Sequence, residues 1–277
     1  MKNLLLATSL ALLAGMQTAT LAQPSAAEAN YVAMGSSFAA GPGLLPYEVG
    51  APKRCWRSSR NYAHQLAQRR GLALVDVSCS GATSQAILEP WQELPAQIDA
   101  VNAATRLVTL TIGGNDLGYV GNLMALSCRT LLAQGLVASG KCFPVKELTE
   151  ADFIAVDRSM RTIAAAVRAR APQARLVFVD YLTLLPHAGT CAVTPLAEAE
   201  ADSAQALSVR LLTLTADVAR ETGAELLRAS RLSMGHDACS AEPWVWGYPA
   251  PPGGVPYHPN SVGMDALAQA LDEALAR

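Results

Sequence analysis

Short apolar runs recur along the chain at residues 31–35, 72–77, 107–112, 176–180 and 225–228. Most lack strict alternation, which is how strands buried on both faces of a parallel sheet read. The stretches between them carry helical spacing. Residues 59–70 place Tyr62, Leu66 and Arg70 on one face and stop at Gly71, a residue suited to a helix C-terminus. Residues 150–170 and 195–222 are long and rich in Ala and Leu, and Asn260 is placed to cap a last helix over 261–275. Strands alternating with helices predict βαβ units, so the chain reads as an α/β protein with a five-stranded parallel sheet covered on both faces. Two stretches break the rhythm and read as irregular: 117–149, with Gly, Ser and two cysteines, and 235–259, rich in Pro, Gly and aromatics. Long loops of this kind tend to be functional. In open α/β sheets ligands bind beyond the carboxyl ends of the strands, so the residues that follow the strands carry the chemistry.

Ahead of the first strand, Lys2 precedes an apolar run over 4–14, and Thr20-Leu21-Ala22 stands just before Gln23. That order is the layout of a secretory signal peptide over residues 1–22. Its apolar run is shorter than the roughly 20 residues a bilayer span needs. Residues 23–277 then form a single expected domain. With 51% apolar and 16% charged residues, a large core can form. The formal net charge is −2, and losing Lys2, the one charged side chain of the leader, takes it one unit lower. A mildly acidic chain lacks the electrostatic footprint of a nucleic-acid binder. No later stretch is long and apolar enough to span a membrane. A monomer without stable membrane insertion is expected.

Six cysteines follow the leader: Cys55, Cys79, Cys128, Cys142, Cys191 and Cys239. An even count in an exported chain reads as disulfides, though the sequence by itself leaves the connectivity open. There is no C-x-x-C, and the histidines are not clustered with the cysteines, so no metal site is expected.

Three strand ends carry unusual residues. The first run leads into Gly35-Ser36-Ser37-Phe38-Ala39-Ala40-Gly41, the second into Cys79-Ser80-Gly81-Ala82-Thr83, and the third into Gly113-Gly114-Asn115-Asp116. Far downstream, Tyr257-His258-Pro259-Asn260 precedes the last helix. These groups fit acyl transfer, which needs a nucleophile, a base and donors for an oxyanion. Gly35 permits the tight turn that exposes the Ser37 hydroxyl. Gly81 permits a close approach, so that its N–H can point at a ligand. Asn115 offers a side-chain N–H to the same point, and His258 can take the serine proton at neutral pH.

The four blocks together resemble the SGNH hydrolases, also called GDSL esterases and lipases, whose blocks supply Ser, Gly, Asn and His in that order. Ser37, Gly81, Asn115 and His258 match in order and rough spacing across residues 31–263. The resemblance implies a flavodoxin-like three-layer α/β/α fold and ester hydrolysis through an acyl-enzyme. It also implies a small-molecule or lipid ester as substrate, and no cofactor or metal. The six cysteines resemble those of secreted lipases of the family, which implies sequential pairing: Cys55–Cys79, Cys128–Cys142 and Cys191–Cys239. Carbohydrate deacetylation and phospholipid deacylation are alternatives on the same site, and a carbohydrate- or lipid-binding module without turnover is an alternative of another class.

Two departures from the family pattern matter. Ser36 stands where the family usually has an Asp that braces the loop, and its hydroxyl makes it the rival nucleophile. Val255 stands where the family often has the Asp that orients the histidine. A backbone carbonyl, that of Val255 or one near it in the Pro-Gly loop, is therefore expected to fix the His258 tautomer. Asp237 and Glu242 are the rival acids. Among other candidates, His64 reads as a surface histidine, His187 as a residue that can line the cleft, and His236 as structural. Asp116 reads as a brace for the Asn115 loop, and Trp91 as core or cleft. Trp244, Trp246, Tyr248 and Tyr257 form either a self-packed loop or a substrate wall. There is no G-x-S-x-G, P-loop, G-x-G-x-x-G or H-E-x-x-H signature.

Overall fold

Five parallel strands cross the centre of the molecule: β1 (Tyr31–Gly35), β2 (Leu74–Asp76), β3 (Leu107–Thr111), β4 (Arg175–Val179) and β5 (Glu225–Leu227). Their spatial order is β2-β1-β3-β4-β5, and every pairing is parallel. The structure, a computed structural model, describes residues 30–136 and 142–277. The expected signal segment lies outside them. All residues of β1 and β3 are buried, as strands covered on both faces must be. Their polar side chains are paired within the core: the Tyr31 hydroxyl lies 2.8 Å from Thr109 Oγ1, and the Tyr62 hydroxyl 3.2 Å from Thr111 Oγ1.

The helices are α1 (Ser37–Ala40), α2 (Tyr62–Arg70), α3 (Ser84–Leu88), α4 (Tyr119–Ala133), α5 (Glu150–Arg170), α6 (Glu198–Thr222), α7 (Ala229–Leu232) and α8 (Ser261–Leu275). Helix α2 packs on α8, while α3, α5, α6 and α4 pack in series. The result is the expected α/β/α sandwich, and its strand order is the flavodoxin-like one. Side chains set the helix starts. Asn61 Oδ1 accepts the His64 N–H at 3.0 Å, which starts α2 three residues later than the periodicity suggests. Asn260 Oδ1 accepts the Gly263 N–H at 2.9 Å at the start of α8. Thr149 and Asp152 form a reciprocal box at the start of α5.

One expectation fails. Residues 117–149 are not wholly irregular, because α4 occupies Tyr119–Ala133. Val120, Leu123, Ser127 and Leu131 lie on its buried side, at spacings the helical period brings together. Strands β2 and β5, at the sheet edges, are shorter than their apolar runs. Among the described residues no helix is long and apolar enough to cross a membrane.

The strand order reverses between β1 and β3, whose successive connections leave in opposite directions. This opens a crevice at their carboxyl ends. Three disulfides, Cys55–Cys79, Cys128–Cys142 and Cys191–Cys239, tie the loops, in the sequential pairing that the resemblance implies. The first joins residues 24 apart, so its removal frees an unfolded-state loop worth about 3 kcal/mol in chain entropy. The Cys55→Ala/Cys79→Ala protein should therefore unfold at clearly lower urea than its parent. Coincident urea curves would contradict this.

Candidate active site

Ser37 is the first residue of α1, directly beyond β1. The turn that delivers it needs Gly35, which has φ 137° and where a Cβ would sit 2.5 Å from the Thr111 carbonyl oxygen. Gln97 grips this glycine on both sides: the Gly35 N–H donates to Gln97 Oε1 at 2.7 Å, and Gln97 Nε2 donates to the Gly35 carbonyl at 3.0 Å. The Ser36 N–H donates to the Thr111 carbonyl at 3.0 Å. The Ser37 loop is thereby fastened to β3 before any contact of its own hydroxyl.

The His258 ring reaches Ser37 across the whole chain. Its Nε2 lies 2.8 Å from Ser37 Oγ, and its Nδ1 lies 2.8 Å from the Pro256 carbonyl oxygen. A carbonyl only accepts, so Nδ1 carries the proton and Nε2 faces the serine with its lone pair. The carbonyl is that of Pro256 and not of Val255. The Val255 carbonyl accepts the backbone N–H of His258 at 3.2 Å, and this turn leaves the next carbonyl facing the ring. Neither rival acid is placed on the ring. Asp237 Oδ1 accepts the Cys239 N–H at 2.8 Å, and Glu242 is exposed.

A backbone clamp holds the histidine. The Trp246 N–H donates to the His258 carbonyl at 3.0 Å, Tyr257 N–H to the Trp246 carbonyl at 3.0 Å, and Asn260 N–H to the Trp244 carbonyl at 2.9 Å. Asn260 also donates through Nδ2 to the Pro243 carbonyl at 2.6 Å while it caps α8. Tyr257 has φ 58°, a left-handed conformation that costs a bulky residue and that the surroundings must enforce. Its buried hydroxyl is bonded to Ser127 Oγ at 2.6 Å. The aromatic cluster is thus mainly self-packed: Trp244 stacks on His236 at 4.3 Å, and Tyr248 lies 6.3 Å from Tyr257.

Gly81 and Asn115 lie at the adjoining strand ends. Gly81 has φ 86°, and a Cβ there would meet the Trp91 ring at 3.3 Å. Asn115 is half-buried and donates one Nδ2 proton to the Ala82 carbonyl at 2.9 Å. That bond joins the Gly81 turn to the Asn115 turn and leaves the second amide proton for a ligand. Asp116 braces the same junction, accepting the Ser84 N–H at 3.0 Å and the Ser84 hydroxyl at 2.6 Å.

Sequence reading missed Tyr181. Its hydroxyl accepts the Gly114 N–H at 2.8 Å and bonds the Ser36 hydroxyl. Ser36 is therefore engaged in the core, and Tyr181 couples the loops that carry Ser37 and Asn115. Its ring lies 4.6 Å from Phe38, itself 5.3 Å from His258. The clue was its place just after the fourth strand, but nothing in the local pattern marks it. His187 lines a cavity of about 460 Å³ beyond β4 and β5, together with Leu184, Leu185, Leu212 and Met234. His64 corrects another expectation. It is mostly buried, with Nε2 3.8 Å from both Glu48 and Asp76. These three are the group of metal-capable side chains found among the described residues. Arg57 already stands among them, with Nε 2.5 Å from Glu48, so the cluster carries its own cation.

A sequence model of the GDSL-like Lipase/Acylhydrolase family matches residues 33–266. The chain is similar to Lipase 2 of Streptomyces coelicolor, 34% identical over 87% of this chain and 83% of that protein. Its fold superimposes on phospholipase A1 of Streptomyces albidoflavus with TM-score 0.70 and 25% identity, covering 89% of this chain and 99% of the other. The extracellular lipase of Streptomyces rimosus gives TM-score 0.68 and 26% identity, covering 88% and 98%.

Burial pushes the His258 imidazole down from its ordinary 6.5 to about 4, against a smaller upward pull from the Pro256 carbonyl. The ring is thus neutral over most of the acid range. Its folded value lies below the unfolded one, so the unfolded chain takes up a proton first. The stability this group contributes is lost as pH falls through that window, while the folded ring stays neutral until pH nears 4. The acid limb of kcat/KM for a soluble ester should lie near that value rather than near 6.5. A limb near 6.5 would contradict the buried, carbonyl-held ring. Asp237→Asn and Glu242→Gln should both stay near wild type in turnover. A loss approaching ten-thousandfold in either would expose a triad acid.

Proposed function

The chain belongs to the GDSL-like lipase/acylhydrolase family and is a carboxylic ester hydrolase, and within that chemistry we propose that Ser37 and His258 act as a nucleophile–base dyad through an acyl-enzyme. The observation that carries this reading is the 2.8 Å contact between Ser37 Oγ and His258 Nε2, with the far ring nitrogen on a carbonyl. Ser37 Oγ attacks the ester carbonyl while His258 Nε2 takes its proton. The oxyanion forms in reach of the N–H groups of Ser37 and Gly81 and the free amide proton of Asn115. Ser37 N lies in the first turn of α1, where backbone N–H groups have no partner within the helix. The proton on Nε2 then passes to the departing alcohol. Water, deprotonated by the same nitrogen, attacks the acyl-serine and releases the carboxylic acid.

Two further points belong to the proposal. The protein is exported, with residues 1–22 removed and 23–277 forming one catalytic domain. The leader pattern, the three disulfides and the likeness to an extracellular lipase support this. The acid released comes from a lipid-type ester. The cavity of about 460 Å³, lined by Leu184, Leu185 and Leu212 beyond the carboxyl ends of β4 and β5, suits an acyl chain. Phospholipid deacylation is a second reading on the same site, favoured by the likeness to a phospholipase A1.

Ser37→Ala and His258→Ala should each lower kcat/KM on a chromogenic butyrate ester by about a thousandfold or more, with the circular dichroism unchanged. If Ser36→Ala abolished turnover and Ser37→Ala did not, the nucleophile would be the neighbouring residue. Asn115→Ala should lower kcat by on the order of a hundredfold with little change in KM. A raised KM at unchanged kcat would remove Asn115 from the oxyanion site.

A further inference from the structure

Residues 44–60, between α1 and α2, form a hairpin-like loop that borders the site. Its arms pair through the Glu48 N–H to the Arg57 carbonyl at 2.8 Å and the Ser59 N–H to the Pro46 carbonyl at 3.0 Å, with a bridge between Tyr47 and Ser58. At one end the chain leads from Gly43, where a Cβ would sit 2.7 Å from the Gly253 carbonyl of the loop that holds His258. At the other, Cys55 is bonded to Cys79, and its carbonyl accepts the Ser80 N–H at 3.1 Å, beside Gly81. The loop therefore connects the histidine side of the site to the oxyanion side.

Three large apolar residues of the loop face water. Val49 is 90% exposed, Leu45 65% and Trp56 51%. Charge at the base keeps them there. Glu48 turns inward, its carboxylate 2.5 Å from Arg57 Nε. Arg57 also donates to the Asp76 carbonyl, and Asp76 Oδ2 accepts from Asn61 at 2.7 Å. Arms fixed by these buried groups hold the tip out and do not let it collapse onto the core. The exposed charges of the segment, Lys53 and Arg60, are both positive, while half-buried Arg54 is paired with Glu93 at 3.3 Å, and the chain as a whole is at −2. The acid of this segment, Glu48, is turned in and paired.

We propose that this loop docks the protein on an anionic phospholipid surface, with Leu45, Val49 and Trp56 entering the acyl region and Lys53 and Arg60 set against the phosphates. Exposed apolar side chains flanked by the cations Lys53 and Arg60 are complementary to such a surface. A second copy is a poorer occupant, because a two-fold contact through this loop would bring its own cations together. The proposal gains its purpose from the ester-hydrolase reading, since docking would turn the mouth of the site toward lipid. The binding itself requires no turnover.

The test is sedimentation of Ser37→Ala protein with phosphatidylcholine vesicles, with and without phosphatidylglycerol. It should bind the anionic vesicles, and less tightly as salt rises. Leu45→Ser/Val49→Ser in the same background should weaken binding on the order of tenfold or more. In the Ser37 background that pair should leave hydrolysis of a water-soluble butyrate ester and the melting temperature unchanged. Lys53→Gln/Arg60→Gln should weaken the anionic preference. Protein that stays in the supernatant with both vesicles, or a double-serine variant that sediments like its parent, would overturn the proposal. So would a concentration-dependent dimer abolished by Leu45→Ser/Val49→Ser. Retained ester turnover in Ser37→Ala would sink the dyad instead and leave the docking result standing.

Discussion

A buried, uncharged imidazole is the constraint on which the site depends. In the proposed dyad His258 presents a basic nitrogen to Ser37, yet its second nitrogen meets the Pro256 carbonyl. A carbonyl dipole cannot hold a resting imidazolium as a carboxylate would. The ring is therefore kept neutral by dryness, which pushes it down to about 4. A dry ring with one hydrogen bond on each nitrogen has no charge partner to orient it, so the backbone must do so. That is the role of the clamp between Trp244–Trp246 and Tyr257–Asn260, of the left-handed Tyr257 anchored on Ser127, and of Gly263. A Cβ at Gly263 would lie 2.3 Å from the Trp244 carbonyl.

The serine side obeys the same logic. Gly35 and Gln97 fix the turn to the sheet, and Tyr181 joins the Ser36 and Gly114 loops. Where the family usually has an Asp, Ser36 supplies a hydrogen bond and no charge.

Much of this architecture was legible in the chain. Buried parallel strands announce themselves as apolar runs, and three of the four blocks fall at strand ends because the fold places chemistry there, with the fourth just ahead of α8. What stayed hidden was whatever depends on long-range pairing. Helix α4 sits in a stretch whose glycines and cysteines mask its periodicity. The carbonyl that faces His258 is one residue beyond Val255, because a local turn set by the clamp decides which oxygen points inward. Tyr181 and Gln97 have no local signature at all. His64 looks like a surface residue on its helix, and only the arrival of Glu48 and Asp76 from other segments makes it part of a buried charge cluster.

The central claim is that the nucleophile is Ser37, activated by His258. An alkyl p-nitrophenyl phosphonate tests it most directly, because the active serine becomes covalently labelled while one nitrophenolate is released. One label per chain is predicted, located by peptide fragmentation on Ser37, and its formation should slow at least a thousandfold in His258→Ala. A label on Ser36 or elsewhere, or labelling of His258→Ala at the parent rate, would contradict the account.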